Sequence, residues 1–427
     1  MRDLLTRSAL AAALIAVGGP ATASAEATSK MIVTERYGKS CRGSVEGFPV
    51  LVLRGTHRER GEAHGFLGAR EIIRTCETMA GTVNAMVQPK TEGGGWEAAK
   101  KMVSRFRFPA RFRAELDGMM HGLKKALPQV GDRTLKATGA EVTLADLEVL
   151  QCGDVLELMR CSQFSAWGSL TPDGGTIIGR NWDYPPIFPF DTYCLFAVAP
   201  AEKGLQKTME AMWFGMIGAG MGCLNEGGVY LSANDAGDED PGKVQSPTPA
   251  ALALRVTAET VRADHPLAAV EENLDQKTAL AILYHLVAPA EAQGQAARAF
   301  VFEHAPGATT PIETRIRRSS RALPEALILT NDPLLGKGKG GSEICERYAC
   351  LEKTLRDPET RGRLDFERAH TILDAVAVSK PTLTTQYSAV VWPAKREVRL
   401  AVAPAPGQSA TRQKYVRVRW DEVFGRR

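Results

Sequence analysis

The stretch from Cys161 to Tyr184, CSQFSAWGSLTPDGGTIIGRNWDY, constrains this chain most, because it puts a cysteine, an arginine and an aspartate on one short hairpin. Gln163 to Trp167 alternates and carries aromatics, Asp173-Gly174-Gly175 is a turn signal, and Thr176-Ile177-Ile178 is β-branched. That pattern predicts strand, turn, strand. Residues near the two open ends of such a pair face each other, so Cys161 is expected beside Arg180 and Asp183.

Arg2 and Arg7 precede an apolar run from Ala9 to Val17, and Ala23-Ser24-Ala25 offers small residues in a cleavable pattern. Residues 1–25 therefore read as a secretory signal peptide, and the mature protein as exported, periplasmic or secreted. No later apolar stretch reaches the ~18 residues of a membrane span. Loss of residues 1–25 lowers the formal charge from +4 to +3, which implies no nucleic acid or acidic polymer as partner. The eight cysteines lie too far apart for a CxxC metal site and are too few for a disulfide-built scaffold. Export permits one or two disulfides. Burial or a disulfide is also the ordinary alternative to catalysis for Cys161.

Before the hairpin, residues 26–46 read as an exposed lead-in and Phe48 to Leu53 as a strand. A helix is expected near Arg58, with His57 and His64 on one face in a solvated or capping role, since no third metal ligand stands at a useful spacing. Trp96 to Leu127 is helical, basic on one side and interrupted by Pro109. Its Phe106, Phe108, Phe112, Leu116 and Met119 suit a helix covering a sheet, or, as the alternative, contact with a membrane surface. Thr143 is an N-cap, completed by Asp146, for a helix from Leu144 to Met159 that delivers the chain to Arg160-Cys161.

After the hairpin, Pro185 to Asp191 is an aromatic, proline-rich loop and a candidate pocket wall. Met212 to Asp235 holds glycine-punctuated strands around Asn225 and Asn234, where Asn225 reads as a turn residue. Residues 249–263 and 276–286 have helical patterns, and strands follow at Ala299 to Glu303 and Ala326 to Leu329. Gly336 to Gly341 lacks the GK[ST] ending of a phosphate loop. Helices at 343–355 and 366–378 precede three C-terminal strands. The whole reads as an α+β layered fold without repeats.

Cys161 followed by GRNWD at 179–183 resembles the N-terminal nucleophile (Ntn) hydrolases of the acyl-CoA:6-aminopenicillanic acid acyltransferase type, peptidase C45, with more distant similarity to choloylglycine hydrolases and acid ceramidase. In those relatives a cysteine heads a strand and a GRNxD-like sequence ends its partner, matching Arg180 and Asp183. GMGCLNEGGVYLSAND resembles the family's glycine-rich strand pair and ends on Asn234. LTNDP matches a strand-end asparagine at Asn331, which is otherwise a turn before Pro333, and Glu346-Arg347-Tyr348 matches an arginine-bearing helix start at Arg347. There are two departures. Ser162-Gln163 follow the cysteine where small residues are usual, and Asn331-Asp332 stands where the C45 group has an NH-type sequence.

The resemblance implies a four-layer αββα sandwich and a nucleophile whose base is its own α-amine. With a pKa of about 7.7–8.0, such an amine titrates close to neutral pH. It exists only if the Arg160–Cys161 bond is broken, so the resemblance also implies self-cleavage into an α chain of 26–160 and a β chain of 161–427 that stay associated. Asn234 is then expected to donate to the oxyanion, Asp183 to orient the α-ammonium, Arg180 to favour thiolate, and Arg347 and Asn331 to hold the network. The implied substrate is a small acyl amide, cleaved or transferred through a thioester with no metal or organic cofactor. A conjugated bile acid or penicillin V type amidase, suggested by TNDP, and a catalytically inactive binding relative are the alternatives.

Overall fold

The computed structural model describes residues 30–86, 94–153, 160–236, 244–273, 277–289, 298–304, 314–319, 323–335 and 345–425. The leader at 1–25 and the 336–341 loop lie outside them, and the helix expected to run from Leu144 to Met159 already ends at Leu150, with Gln151 as its C-cap. Two sheets form the centre. The first has ten strands, β1 (Ile32–Tyr37), β2 (Ser40–Val45), β3 (Phe48–Gly55), β6 (Tyr193–Pro200), β7 (Thr208–Trp213), β8 (Cys223–Asn225), β9 (Tyr230–Asp235), β10 (Ile282–Ala288), β11 (Arg298–His304) and β12 (Thr314–Arg317), in that spatial order. Only the β3–β6 pairing in it is parallel. The second sheet runs β13 (Ala326–Leu329), β4 (Arg160–Ala166), β5 (Ile177–Tyr184), β15 (Leu383–Trp392), β16 (Glu397–Val402) and β17 (Val416–Arg419), with β14 (Ser379–Lys380) beside β15.

The expected hairpin is β4 and β5, turned through Gly174 at φ +72°, a left-handed conformation that glycine adopts without a Cβ penalty. Alternation along it sorts the two faces. Gln163 and Arg180 point between the sheets and hydrogen bond to Asn234 of β9, whereas Phe164, Ala166 and Ile177 pack with Leu351, Leu355, Ile372 and Leu373. The last four lie on α8 (Glu346–Arg356) and α9 (Phe366–Ala375), which form the outer layer on this side. On the far side, α1 (His57–Leu67) lies on β3 and α6 (Ala250–Thr260) on β8 and β9. The layers are therefore α, β, β, α, as the resemblance implied. The remaining helices are α2 (Ala69–Met86), α3 (Gly94–Val103), α4 (Ala110–Ala126), α5 (Leu144–Leu150), α7 (Pro266–Asn273) and α10 (Trp420–Phe424).

Further expectations change. The stretch 276–286, read as helical, instead runs into the interior strand β10, each residue of which is buried, and an apolar run covered on both faces carries no period that separates strand from helix. The lead-in contains the hairpin β1–β2, whose charged edge strand hides the alternation. His57 and His64 are buried rather than solvated: His57 Nδ1 meets Glu202 at 2.5 Å, and His64 Nε2 accepts the Gly215 N–H at 3.0 Å. All eight cysteines are free, six of them buried, so none of the expected disulfides is present.

The basic helical region divides at Pro109 into α3 and α4, and its Phe106, Phe108, Phe112, Leu116 and Met119 are all buried. No helix among the described residues is long and apolar enough to cross a membrane. The long helix α4 packs on α1 rather than on a sheet, and the two cross through Gly61 and Gly65 against Gly118 and Gly122. A methyl group built on Gly65 would overlap the Met119 carbonyl, and one on Gly118 the Arg58 carbonyl. Gly65→Ala is therefore expected to lower stability by about 1–3 kcal/mol through overpacking. Alanine's intrinsic helix preference alone would raise it by about 1 kcal/mol, so the sign of the change in a urea melt decides between the two effects.

Candidate active site

Cys161 is the second residue of β4, opposite Trp182, between the Arg160–Asp183 and Gln163–Arg180 pairs. This register brings the predicted residues together around one buried cysteine. The Cys161 N–H donates to Asn331 Oδ1 at 2.7 Å. Its carbonyl accepts from Arg347 at 2.7 Å, and its Sγ lies 3.8 Å from an Arg180 guanidinium nitrogen. Arg160 is exposed. Each polar part of Cys161 thus meets a residue singled out in the sequence.

Those partners are themselves fixed. Arg180 donates to Asn234 Oδ1 at 2.7 Å and to the Ala233 and Gly220 carbonyls at 2.7 and 3.3 Å. Asn234 Nδ2 donates to the Thr330 carbonyl at 2.8 Å, and Asn331 Nδ2 to the Asp235 carbonyl at 2.6 Å. Arg347 also reaches Asn331 Oδ1 at 3.0 Å and Asp183 Oδ2 at 3.5 Å. Asp183 faces the α8 side of the sheet, where Thr385 donates to its Oδ1 at 2.6 Å. The Cys161 nitrogen thus meets Asn331 and not Asp183, the residue expected to orient it, because Asp183 points to the opposite face of the strand pair and stands behind Arg347. Asn225 is a turn residue, accepting from Val229 and donating to the Ala258 and Val261 carbonyls at the end of α6.

Burial pushes the Cys161 thiol up to about 11, although Arg180 and Arg347 pull it down. An uncleaved Cys161 is therefore a neutral thiol at pH 7. Burial likewise pushes Asp183 from 3.8 up to about 6, against the Thr385 hydrogen bond and the charges of Arg347 and Arg180. Between those values the native chain keeps a proton that the unfolded chain releases. This group therefore makes stability fall as pH rises from about 4 to 6. Asp183→Asn in an uncleaved Cys161→Ala background should make that slope less negative, by up to about 1.4 kcal/mol per pH unit. Urea melts across pH 4–6 read the change.

A pocket begins beside this cluster. Its lining includes Trp182, Gly220 and Ala233, which adjoin Cys161 and Arg180, and then Tyr184, Phe188, Met212, Trp213 and Met216. Phe188 is the contribution of the 185–191 loop anticipated as a wall. The Gln151 side chain in the lining is occupied, donating to the Leu147 and Gly215 carbonyls and accepting from the Ile217 N–H. Apart from Asp235, the rest of the wall is aromatic, thioether or aliphatic in character, suited to an apolar group. No group of three or more metal-ligating side chains occurs among the described residues.

Sequence reasoning missed Thr385, which holds Asp183, and gave Gln163 no part in the site. Gln163 was accessible to it, since a residue two positions after Cys161 in a strand shares its face. Thr385, 202 residues from Asp183, gave no local signal.

No protein-family model and no curated protein matches the chain. Among solved structures it is similar to penicillin V acylase from Agrobacterium tumefaciens, with 12% identity, 58% of this chain and 84% of that chain covered, and a TM-score of 0.36. It is also similar to conjugated bile acid hydrolase from Clostridium perfringens in two variant forms. One gives 11% identity over 61% of this chain and 93% of that chain, with a TM-score of 0.36. The other gives 12% identity over 56% and 89%, with a TM-score of 0.34.

Proposed function

We propose that this chain is an exported cysteine amidase of the N-terminal-nucleophile type, of the C45 kind, that cuts itself between Arg160 and Cys161 and then acts on a linear amide with an apolar acyl group. The observation that carries the reading is the threefold grip on Cys161, with Asn331 at its nitrogen, Arg180 at its sulfur and Arg347 at its carbonyl. Two of these contacts hold the backbone at the cut site and the third reaches the sulfur. The mostly apolar pocket that starts at Trp182, the strand partner of Cys161, supports the acyl assignment.

In self-cleavage the Cys161 sulfur attacks the Arg160 carbonyl carbon, the C–N bond breaks, and the thiol's proton goes to the nitrogen. Water then hydrolyses the thioester, leaving a carboxylate on Arg160 and a free thiol and α-amine on Cys161. In turnover that amine accepts the thiol proton as sulfur adds to the substrate carbonyl, and returns it to the leaving nitrogen. Water or a second amine removes the acyl group from sulfur. Asn331 holds the α-amine, Arg347 and Asp183 hold Asn331 and the strand end, and Asn234 donates to the oxyanion.

Intact mass of the purified protein under denaturing conditions tests the reading. Two pieces that join at 160/161, the first starting after the leader, are expected. A single uncut chain with no thiol-dependent amide turnover overturns it in favour of an inactive binding relative.

A further inference from the structure

Arg180 is the end of a buried polar chain that runs between the two sheets. A guanidinium only donates, so the Asn234 atom facing Arg180 is the oxygen. Gln163 faces the same oxygen at 2.8 Å, so the atom it presents is its amide nitrogen. Its Oε1 is then an acceptor, taking Ser232 Oγ–H at 2.7 Å and His285 Nδ1 at 3.1 Å. His285 therefore carries its proton on Nδ1, and the bare Nε2 accepts from Ser165 Oγ at 3.0 Å. Gln163, Ser165, Arg180, Ser232, Asn234 and His285 are all fully buried. Burial, with Arg180 and Arg317 nearby, pulls the His285 pKa down to about 3, so the ring stays neutral.

We propose that Gln163, locked by Ser232 and His285, is a positioning residue that holds the Asn234 amide with its NH2 turned away from Arg180 and toward the reacting carbonyl. This rests on the amidase reading, in which Asn234 is the oxyanion donor. Nδ2 uses one hydrogen on the Thr330 carbonyl. The other is the one offered to substrate, and it stays in place only while Oδ1 is held from the opposite side. Arg180 alone supplies one such hold, and Gln163 supplies the second.

Two measurements test this. ¹⁵N NMR of histidine-labelled wild type, with His285→Phe to identify the signal, should give a neutral His285 protonated on Nδ1 at pH 7. A neutral ring protonated on Nε2, with Nδ1 bare, reverses the Gln163 amide and overturns the proposal. Rates are then read on hexanoyl-4-nitroanilide and on self-cleavage for Gln163→Leu, Asn234→Ala and the double variant. Gln163→Leu should lower kcat by ~10–100-fold with KM nearly unchanged, and Asn234→Ala by ~10²–10³-fold, the scale of a lost oxyanion donor. The double variant should be no slower than Asn234→Ala, because Gln163 acts through Asn234. Multiplying effects would assign Gln163 a merely structural role and overturn the proposal. A wild type that neither cuts itself nor turns over the anilide sinks the amidase reading instead, and the His285 tautomer still decides how Gln163 holds Asn234.

Discussion

Cys161→Ala is expected to leave the chain in one piece and to remove amide turnover by roughly 10³-fold or more, the scale on which hydrolases lose rate with their nucleophile. The substitution deletes only Sγ. The Asn331 and Arg347 contacts are made by the Cys161 backbone, so they survive, and the hairpin register is set by β4 and β5 rather than by the sulfur. A folded but uncut and inactive variant is therefore the expected product, with an unchanged far-ultraviolet dichroism spectrum. The pH profile of the wild type adds a second check. In the uncleaved chain burial pushes the thiol to about 11. If the freed α-amine is the base, kcat should instead rise as pH passes about 7.7–8.0, where an α-amine loses its proton. A rise placed near 11 would mean that no amine assists the thiol, and a variant that still splits at 160/161 would remove Cys161 from the cleavage reaction.

How far the sequence foretold this site depends on distance along the chain. The Cys161, Arg180 and Asp183 cluster was legible because one hairpin makes it, and the strand period and the Asp173-Gly174-Gly175 turn fix its register. Asn234, Asn331 and Arg347 were placed by resemblance to a family, since no local rule connects residues on β9, after β13 and on α8. The structure adds what such motifs leave out. Burial determines that Asp183 meets Thr385 and Arg347, and that the Cys161 nitrogen meets Asn331. The helix assigned over Ile282–Leu286 failed because a strand covered on both faces shows no alternation, and the β1–β2 hairpin was missed because its outer strand is polar. The glycines of α1 and α4 form a pattern visible in each helix separately, but only the crossing gives them a common purpose.

The same crossing contains the interaction with the largest expected effect on stability. Glu115 of α4 is buried and accepts from both terminal nitrogens of Arg255 on α6, at 3.1 and 3.0 Å, while Arg60 of α1 lies 3.6 Å away. Arg255 also meets Glu259 at 3.0 Å, and Arg60 meets Glu202 at 2.9 Å. Burial alone would raise the Glu115 pKa, but Arg255 and Arg60 outweigh it and the net shift is downward, so the carboxylate is charged at neutral pH. Glu115→Ala leaves two buried guanidinium groups facing a gap, and loss of one member of a buried pair typically costs about 3–5 kcal/mol. Arg60 and Glu115 belong to the segment before Arg160, whereas Arg255, Glu259 and Glu202 follow Cys161. In a protein cut at 160/161 this network therefore bridges the two pieces, together with the parallel pairing of β3 with β6. Glu115→Ala should then loosen their association by ~10²–10⁴-fold, at about 1.4 kcal/mol per tenfold. Size-exclusion chromatography of the cut protein over a dilution series reads this directly: the variant's pieces should separate at concentrations where the wild type elutes as one species. Equal behaviour of the two would mean that the sheet pairing and the glycine crossing hold the pieces together without the charge network.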